Sequence, residues 1–278
     1  MTEFISVPGG TLAYETAGQG PLVVLAHGMG DSRAAYRFVL PRLAAAGYRV
    51  AAVDLRGCGE SSATWPSYSR TDIAGDLLAV IRHLDSGPAV LVGHSISGGA
   101  ATIAAAQDPD LVRGVIELAP FTRAQSIAFG DLRSKSYRKG AFLLLGAALF
   151  GSVGLWSRYL AHAYPGRKPA DWADRLGRVR AMLGEPDRMR ALRKMGQSAP
   201  TDAGAQLGNV RTPALIVEGS LDPDWVDPRA EGEAIVAAMP AGVGKVAVIE
   251  GAGHYPHDQY PEETVSLMLA FLETHARA

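Results

Sequence analysis

The fold of this chain follows from one stretch, Val90-Leu-Val-Gly-His-Ser-Ile-Ser-Gly-Gly-Ala-Ala101. An apolar run typical of a β-strand stops at Gly93, and the residues after Ser95 are small and compatible with a helix. The segment from Gly93 to Ser97 is one residue away from G-x-S-x-G, which marks a sharp strand-to-helix turn with a strained, exposed serine. Residues two before and two after the serine must be small, because strand and helix nearly touch there. The stretch therefore predicts a nucleophile elbow at Ser95.

The composition indicates a globular protein with a sizeable core. The chain has 278 residues, of which 47% are hydrophobic, and its net charge of −1 gives no sign of nucleic-acid binding. A single cysteine, Cys58, leaves no disulfide framework. The start of the chain has no leader pattern, and the longest apolar run, residues 141–156, is shorter than the about 20 residues of a membrane span. We expect a soluble, cytoplasmic protein without a membrane span, and the oligomeric state stays open.

Strand and helix patterns alternate along most of the chain. Continuous apolar runs at residues 21–27 and 48–53 are typical of strands buried on both faces, and residues 71–84 have helical spacing. The alternation predicts an α/β fold with a mostly parallel sheet and helices on both of its faces.

The strand pattern vanishes in the middle of the chain. Residues 121–210 hold 15 Lys/Arg and 6 Asp/Glu, a balance of +9, whereas the remainder has a balance of −10. We therefore predict a helical cap over residues 121–208, inserted into a core formed by residues 1–120 and 209–278. The cap charge suits an anionic substrate or a membrane surface, and solvated helix faces are the simpler explanation.

Three strand ends carry residues suited to nucleophilic catalysis. A serine hydroxyl needs a base, and the base needs an orienting acid. Ser95 lies on the elbow, Asp222 follows a buried strand in Gly219-Ser-Leu-Asp222, and His254 follows the last strand in Gly251-Ala-Gly-His254. Because the carboxyl ends of parallel strands meet at one edge of a sheet, we expect these three side chains to meet there.

Two further aspartates compete with Asp222 for the role of orienting acid. Asp222 is three residues past Gly219, one tight turn from the strand. Asp224 and Asp227 lie further along the loop, and we expect them to face solvent or to cap the following helix. The sequence favours Asp222.

The tetrahedral intermediate of acyl transfer needs two backbone N–H groups for its oxyanion. Ile96 offers one, directly after the nucleophile and at a helix N-terminus. Met29, in His27-Gly28-Met29-Gly30, is expected to offer the other because its loop reaches the same sheet edge. The sequence has no metal-ligand spacing and no nucleotide-binding glycine pattern, so we predict neither a metal nor a cofactor.

The sequence resembles the α/β-hydrolase family over almost its whole length. The resemblance implies an eight-stranded sheet with a variable cap over the site. Serine at the nucleophile position argues against the epoxide hydrolase and haloalkane dehalogenase branches, which the chain otherwise resembles. The matching segments are His27-Gly28-Met29-Gly30, Asp54-Leu-Arg-Gly-Cys-Gly-Glu-Ser61, Gly93-His-Ser-Ile-Ser97, Gly219-Ser-Leu-Asp222 and Gly251-Ala-Gly-His254.

These observations predict a cofactor-free serine hydrolase that cleaves a small carboxylic ester through a Ser95-His254-Asp222 triad and an acyl-enzyme. The same residues suit a perhydrolase (haloperoxidase-type) reaction, a lactonase, an iminopeptidase or a carbon–carbon bond hydrolase. The G-H-S-x-S elbow also resembles that of ligand-sensing hydrolase-like receptors, which turn over slowly. Phe142 and Trp156, in the apolar run of the cap, are expected either to wall the substrate pocket or to pack against the core.

Overall fold

The structure is a computed structural model that describes residues 1–124 and 131–276. Within these residues, eight strands form one sheet in the order β1-β2-β4-β3-β5-β6-β7-β8. β1 and β2 form an antiparallel hairpin, β2 is antiparallel to β4, and the other neighbours are parallel. The strands are β1 (Glu3–Val7), β2 (Gly10–Ala17), β3 (Leu22–Ala26), β4 (Arg49–Val53), β5 (Ala89–His94), β6 (Val112–Leu118), β7 (Ala214–Gly219) and β8 (Gly244–Ile249).

Helices cover both faces of the sheet, as the alternation predicted. Every residue of β3 and β5 is buried, which explains their continuous apolar sequence. Successive side chains of a strand point to opposite faces. Val24 therefore packs in one core cluster with Ile73 of the helix after β4, whereas Val23 packs in the other with Met268 of the last helix. The helices outside the middle segment are α1 (Leu40–Ala45), α2 (Arg70–Leu84), α3 (Ile96–Gln107), α9 (Pro228–Ala237), α10 (Pro256–Gln259) and α11 (Pro261–His275).

The segment between β6 and β7 is helical in its described part. Its helices are α4 (Lys135–Phe150), α5 (Val153–Ala163), α6 (Trp172–Leu183), α7 (Pro186–Gln197) and the short α8 (Thr201–Gly204). We call α4 to α7 the helical insertion. It has an apolar core of its own, which closes on Met29 and Tyr255 at the sheet edge. The insertion thus covers the carboxyl ends of β3, β5, β7 and β8, where the sequence placed the reactive residues.

No helix of the described residues is long and apolar enough to cross a membrane.

Candidate active site

Ser95 occupies a strained turn between β5 and α3. Its backbone has φ 56° and ψ −118°, a conformation that few residues other than glycine adopt. Gly93 explains how strand and helix approach each other, because a Cβ at this position would lie 2.1 Å from the backbone oxygen of Ser97. The local geometry is a sharp, strained strand-to-helix turn, as the sequence predicted at this stretch.

Ser97 has a role in the elbow that its small size alone did not reveal. The side chain is buried, and its hydroxyl donates a hydrogen bond of 2.6 Å to the backbone carbonyl of His27. His27 begins the loop after β3, and its Nε2 accepts a hydrogen bond from the backbone N–H of Leu55. A glycine at position 97 would lack this link, so the serine ties the elbow to the neighbouring loop.

The loop after β3 lies directly against Ser95. A Cβ at Gly28 would be 2.7 Å from His94 Nδ1 and 3.1 Å from Ser95 Cβ, so only glycine fits. Met29 follows and lines the cavity at Ser95. Ile96 is the first residue of α3, and the first four N–H groups of a helix have no acceptor within it. Met29 and Ile96 thus flank Ser95, and their roles as oxyanion donors stay predictions.

His254 and Asp222 are hydrogen-bonded and buried. The distance from His254 Nδ1 to Asp222 Oδ2 is 2.8 Å. A tight turn, in which the Asp222 N–H donates to the Gly219 carbonyl, brings the carboxylate back to the end of β7. The backbone N–H of His254 donates to Ala163 in α5, and its carbonyl accepts a hydrogen bond from His94 Nε2 at 2.7 Å. Hydrogen bonds to the sheet and to the helical insertion therefore fix the position of the His254 backbone, which carries the imidazole.

Asp224 does not lie where the sequence predicted it. Instead of facing solvent or capping a helix, it is buried, and its Oδ2 lies 3.3 Å from His254 Nδ1. Asp222 Oδ1 accepts the Asp224 N–H at 2.9 Å, and this turn bends the chain back toward the histidine. Tyr159 of α5 donates a hydrogen bond of 2.5 Å to Asp224 Oδ2. Asp227, by contrast, does cap α9 by accepting the Ala230 N–H.

The two carboxylates govern the charge of His254. Burial disfavours the imidazolium, but the negative charges of Asp222 and Asp224 outweigh burial and raise the pKa of His254 to about 9. Burial and the nearby Asp222 raise the pKa of Asp224 to about 7, against the opposing effects of His254 and Tyr159. His254 and Asp224 therefore titrate together rather than as separate groups.

These three residues are also the group of described residues whose donor atoms best suit a cation. One atom each of Asp222, Asp224 and His254 lies within 4.8 Å of the others. Oxygen and imidazole donors suit Zn²⁺ or other divalent transition metals. A bound cation would take Nδ1 of His254 away from its hydrogen bond with Asp222.

The cavity at Ser95 is small, closed and mostly apolar. The space open to the centre of a water molecule is about 10 Å³, roughly enough for one water. Trp156 lines it, whereas Phe142 lies on the outer face of α4 and is largely exposed. The expectation that Phe142 walls the pocket therefore does not hold. The cavity is lined by Gly28, Met29, Ser95, Phe121, Leu144, Trp156, Tyr159, Asp224, His254 and Tyr255.

The sequence matches a known protein family over most of its length. The sequence profile of the alpha/beta hydrolase family matches residues 23–267. A 2-(acetamidomethylene)succinate hydrolase of Mesorhizobium japonicum is 30% identical over 95% of this chain and 92% of its own. Epoxide hydrolase B of Mycobacterium tuberculosis is 37% identical over 127 residues, which are 43% of this chain and 36% of its own.

Solved structures share the fold. An esterase from Exiguobacterium antarcticum superposes with a TM-score of 0.82 at 20% identity, over 98% of this chain and 100% of its own. A thermophilic esterase from Thermogutta terrifontis has a TM-score of 0.76 at 24% identity, over 99% and 98% of the two chains. At these identities the likeness bears on the fold alone.

Proposed function

The chain belongs to the alpha/beta hydrolase family, and from this premise we propose that it is a serine hydrolase cleaving a small carboxylic ester or a related acyl bond. The observation that carries the proposal is the buried hydrogen bond of 2.8 Å between His254 and Asp222, at the sheet edge that also bears Ser95 on its strained turn. A serine, a histidine and an acid in this chain order are the parts that acyl transfer requires on such a sheet.

The proposed reaction proceeds through an acyl-enzyme. His254 Nε2, the nitrogen that does not face Asp222, takes the hydroxyl proton of Ser95 while the oxygen attacks the carbonyl carbon. The backbone N–H groups of Met29 and Ile96 hold the oxyanion. The imidazolium, stabilised by Asp222, passes its proton to the leaving alcohol as the ester bond breaks. Water then gives a proton to His254 as its oxygen attacks the acyl-enzyme, and the imidazolium returns that proton to the Ser95 oxygen as the acid leaves.

The lining of the cavity favours a neutral, apolar acyl group. Aromatic and aliphatic side chains such as Phe121, Leu144 and Trp156 surround Ser95, and none of the described lining residues is lysine or arginine. The relative from Mesorhizobium japonicum is named for a succinate that bears an acetamidomethylene group, and a succinate carries two carboxylates. Such a substrate would need cationic partners next to the reacting carbonyl. The lining of this cavity therefore supports a different substrate for this chain.

The serine nucleophile also bears on the likeness to epoxide hydrolases. An aspartate nucleophile opens an epoxide to give an ester, which water can hydrolyse, whereas serine would give a stable ether. Ser95 therefore favours acyl chemistry. Perhydrolase, lactonase, iminopeptidase and carbon–carbon bond hydrolase reactions remain alternatives on the same residues.

A second candidate is a ligand sensor with little turnover. Two observations favour it: the cavity has room for about one water, and position 97 of the elbow carries serine instead of glycine. A sensor would bind a ligand, acylate once and then stay modified.

Covalent labelling of the nucleophile tests the proposal. A fluorophosphonate should label the protein once, at Ser95, and Ser95→Ala should abolish labelling and lower kcat by about 10⁴-fold or more. Ser136→Ala, at an exposed serine of α4, is the matched control and should label normally. Multiple turnovers of short p-nitrophenyl esters support the enzyme, and a single slow acylation supports the sensor. Labelling of Ser95→Ala, located by peptide mass mapping, would falsify the nucleophile assignment.

A further inference from the structure

Four large apolar side chains are exposed along one face of α4. The exposed fractions of Phe142, Leu145, Leu149 and Phe150 are 71%, 59%, 53% and 77%. Their spacing of three, four and one residues places them on the same side of a helix. They are half of the eight large hydrophobic residues that are exposed among the described residues. Concentrating that much exposed apolar surface in nine residues is unusual for a face that meets only water.

The opposite side of α4 is apolar as well, and it is covered. Leu143, Gly146 and Ala147 are buried against the rest of the helical insertion, and Leu144 lines the cavity at Ser95. The helix is therefore apolar nearly all round its C-terminal half. An ordinary surface helix would carry charged or polar residues on its outer side, so packing within the chain does not account for the outer face.

Positive charge borders the apolar face at both ends. Lys135, Arg138 and Lys139 are exposed in the first turns of α4. At the other end, Arg193 of α7 donates hydrogen bonds to the backbone carbonyls of residues 148 and 149. α4 contains no Asp or Glu, and residues 121–210 carry a balance of +9. The surroundings of the apolar face thus attract anions.

We propose that the outer face of α4 docks on the surface of an anionic phospholipid bilayer. The four apolar side chains enter the boundary between headgroups and acyl chains, and the lysines and arginines meet the lipid phosphates. A helix of this length lies in the plane of the interface and does not span the bilayer. A second copy of this chain is a poorer occupant, because it would bring two segments of balance +9 together. Docking is independent of the proposed hydrolysis, since it needs no turnover.

Vesicle flotation with the full chain tests the docking surface. We expect the protein to float with vesicles of phosphatidylcholine that contain phosphatidylglycerol, and to stay unbound with phosphatidylcholine alone. Phe150→Ser should lower the partition coefficient between vesicles and water about tenfold or more. The variant loses the free energy that wild-type protein gains by transferring the phenyl ring from water to the bilayer. Phe4→Ser, at a phenylalanine of β1 that is 56% exposed, is the matched control and should bind like the wild type.

The charge contribution is tested with a second matched pair. Lys139→Glu should lower binding to anionic vesicles about fivefold or more, whereas Lys245→Glu, the same change at an exposed position of β8, should not. Wild-type protein that never floats, or Phe150→Ser that floats as well as Phe4→Ser, overturns the proposal. A dimer in sedimentation velocity that Phe150→Ser dissociates, without lipid binding, assigns the face to a second copy and equally overturns it.

Discussion

The substitution Asp224→Asn separates the two carboxylates that lie beside His254. It keeps the shape of the side chain and an oxygen that accepts the hydrogen bond from Tyr159, but it removes the negative charge. Because that charge stabilises the imidazolium, its loss should lower the pKa of His254. A base acts in its neutral form, so the pH at which kcat/KM reaches half of its plateau should fall in this variant.

The structure gives the scale of the shift. At the 3.3 Å that separates Asp224 Oδ2 from His254 Nδ1, two unit charges interact by about 5 kcal/mol at an effective dielectric constant of about 20. One pKa unit corresponds to about 1.4 kcal/mol, so a fully charged Asp224 would raise the pKa of His254 by roughly 3 to 4 units. The pKa of Asp224 is raised to about 7, so its carboxylate is ionised near pH 9, where His254 loses its proton. We therefore expect the midpoint to fall by about one unit or more.

The assay is the pH dependence of kcat/KM on one p-nitrophenyl ester. For the wild type we expect a single rise with pH and a midpoint well above the about 6.5 of an unperturbed histidine, toward the pKa of about 9. Asp224→Asn should be more active than the wild type at pH 8, because wild-type Asp224 is ionised there and more of the variant's histidine is neutral. Asp222→Asn should instead lose on the order of 10⁴ in kcat, since it favours the wrong tautomer.

Two outcomes would refute this reasoning. If the midpoint of Asp224→Asn equals that of the wild type, the second carboxylate does not influence the base. If Asp224→Asn is nearly inactive while Asp222→Asn keeps its kcat, the orienting acid is Asp224, and the shorter of the two distances in the resting structure has misled the assignment. Circular dichroism melts of both variants show whether either loss comes from unfolding.

Two further predictions follow from the burial of single residues. Trp156→Ala should widen the range of acyl chain lengths that are hydrolysed, since each methylene contact is worth roughly 1 kcal/mol or more. Phe142→Ala, on the outer face of α4, should leave kcat/KM unchanged across a series of esters of increasing acyl length. Equal effects of the two substitutions on this series would contradict the assignment of Trp156 to the cavity lining. Glu117 is buried and accepts hydrogen bonds from Thr102 and Thr122, and burial raises its pKa to about 7. The stability that its protonated form contributes is therefore lost as the pH rises from about 4.5 to 7. Urea unfolding should show Glu117→Gln gaining about 3 kcal/mol over the wild type between pH 4 and pH 8, and a constant difference would contradict this.

Local sequence rules were sufficient for the sheet and for the elbow. The continuous apolar strands and the small residues around Ser95 each impose a conformation within a few positions, so their structure could be predicted from neighbours in the chain. The side of the loop on which Asp224 lies could not. The expectation that loop residues face solvent placed it outside. The hydrogen bond from its N–H to Asp222 Oδ1, which turns the chain back, leaves no pattern in the sequence. The prediction that Phe142 lines the pocket was wrong for a related reason. Helical spacing shows which residues share a face of a helix, but it does not show which face is covered.

The environment of His254 shows where such prediction ends. Its neighbours in sequence indicated a strand end and a loop, and they gave the residue its place at the sheet edge. Its surroundings come from two distant parts of the chain, α5 and the end of β5. The Ala163 carbonyl of α5 accepts its N–H, Tyr159 of the same helix donates to the neighbouring Asp224, and His94 Nε2 bonds its carbonyl. Two of these partners belong to the helical insertion, which the sequence marked only by its charge and apolar run. The insertion therefore helps to set the position and the charge of the histidine, and a movement that lets a substrate into so small a cavity would alter both at once.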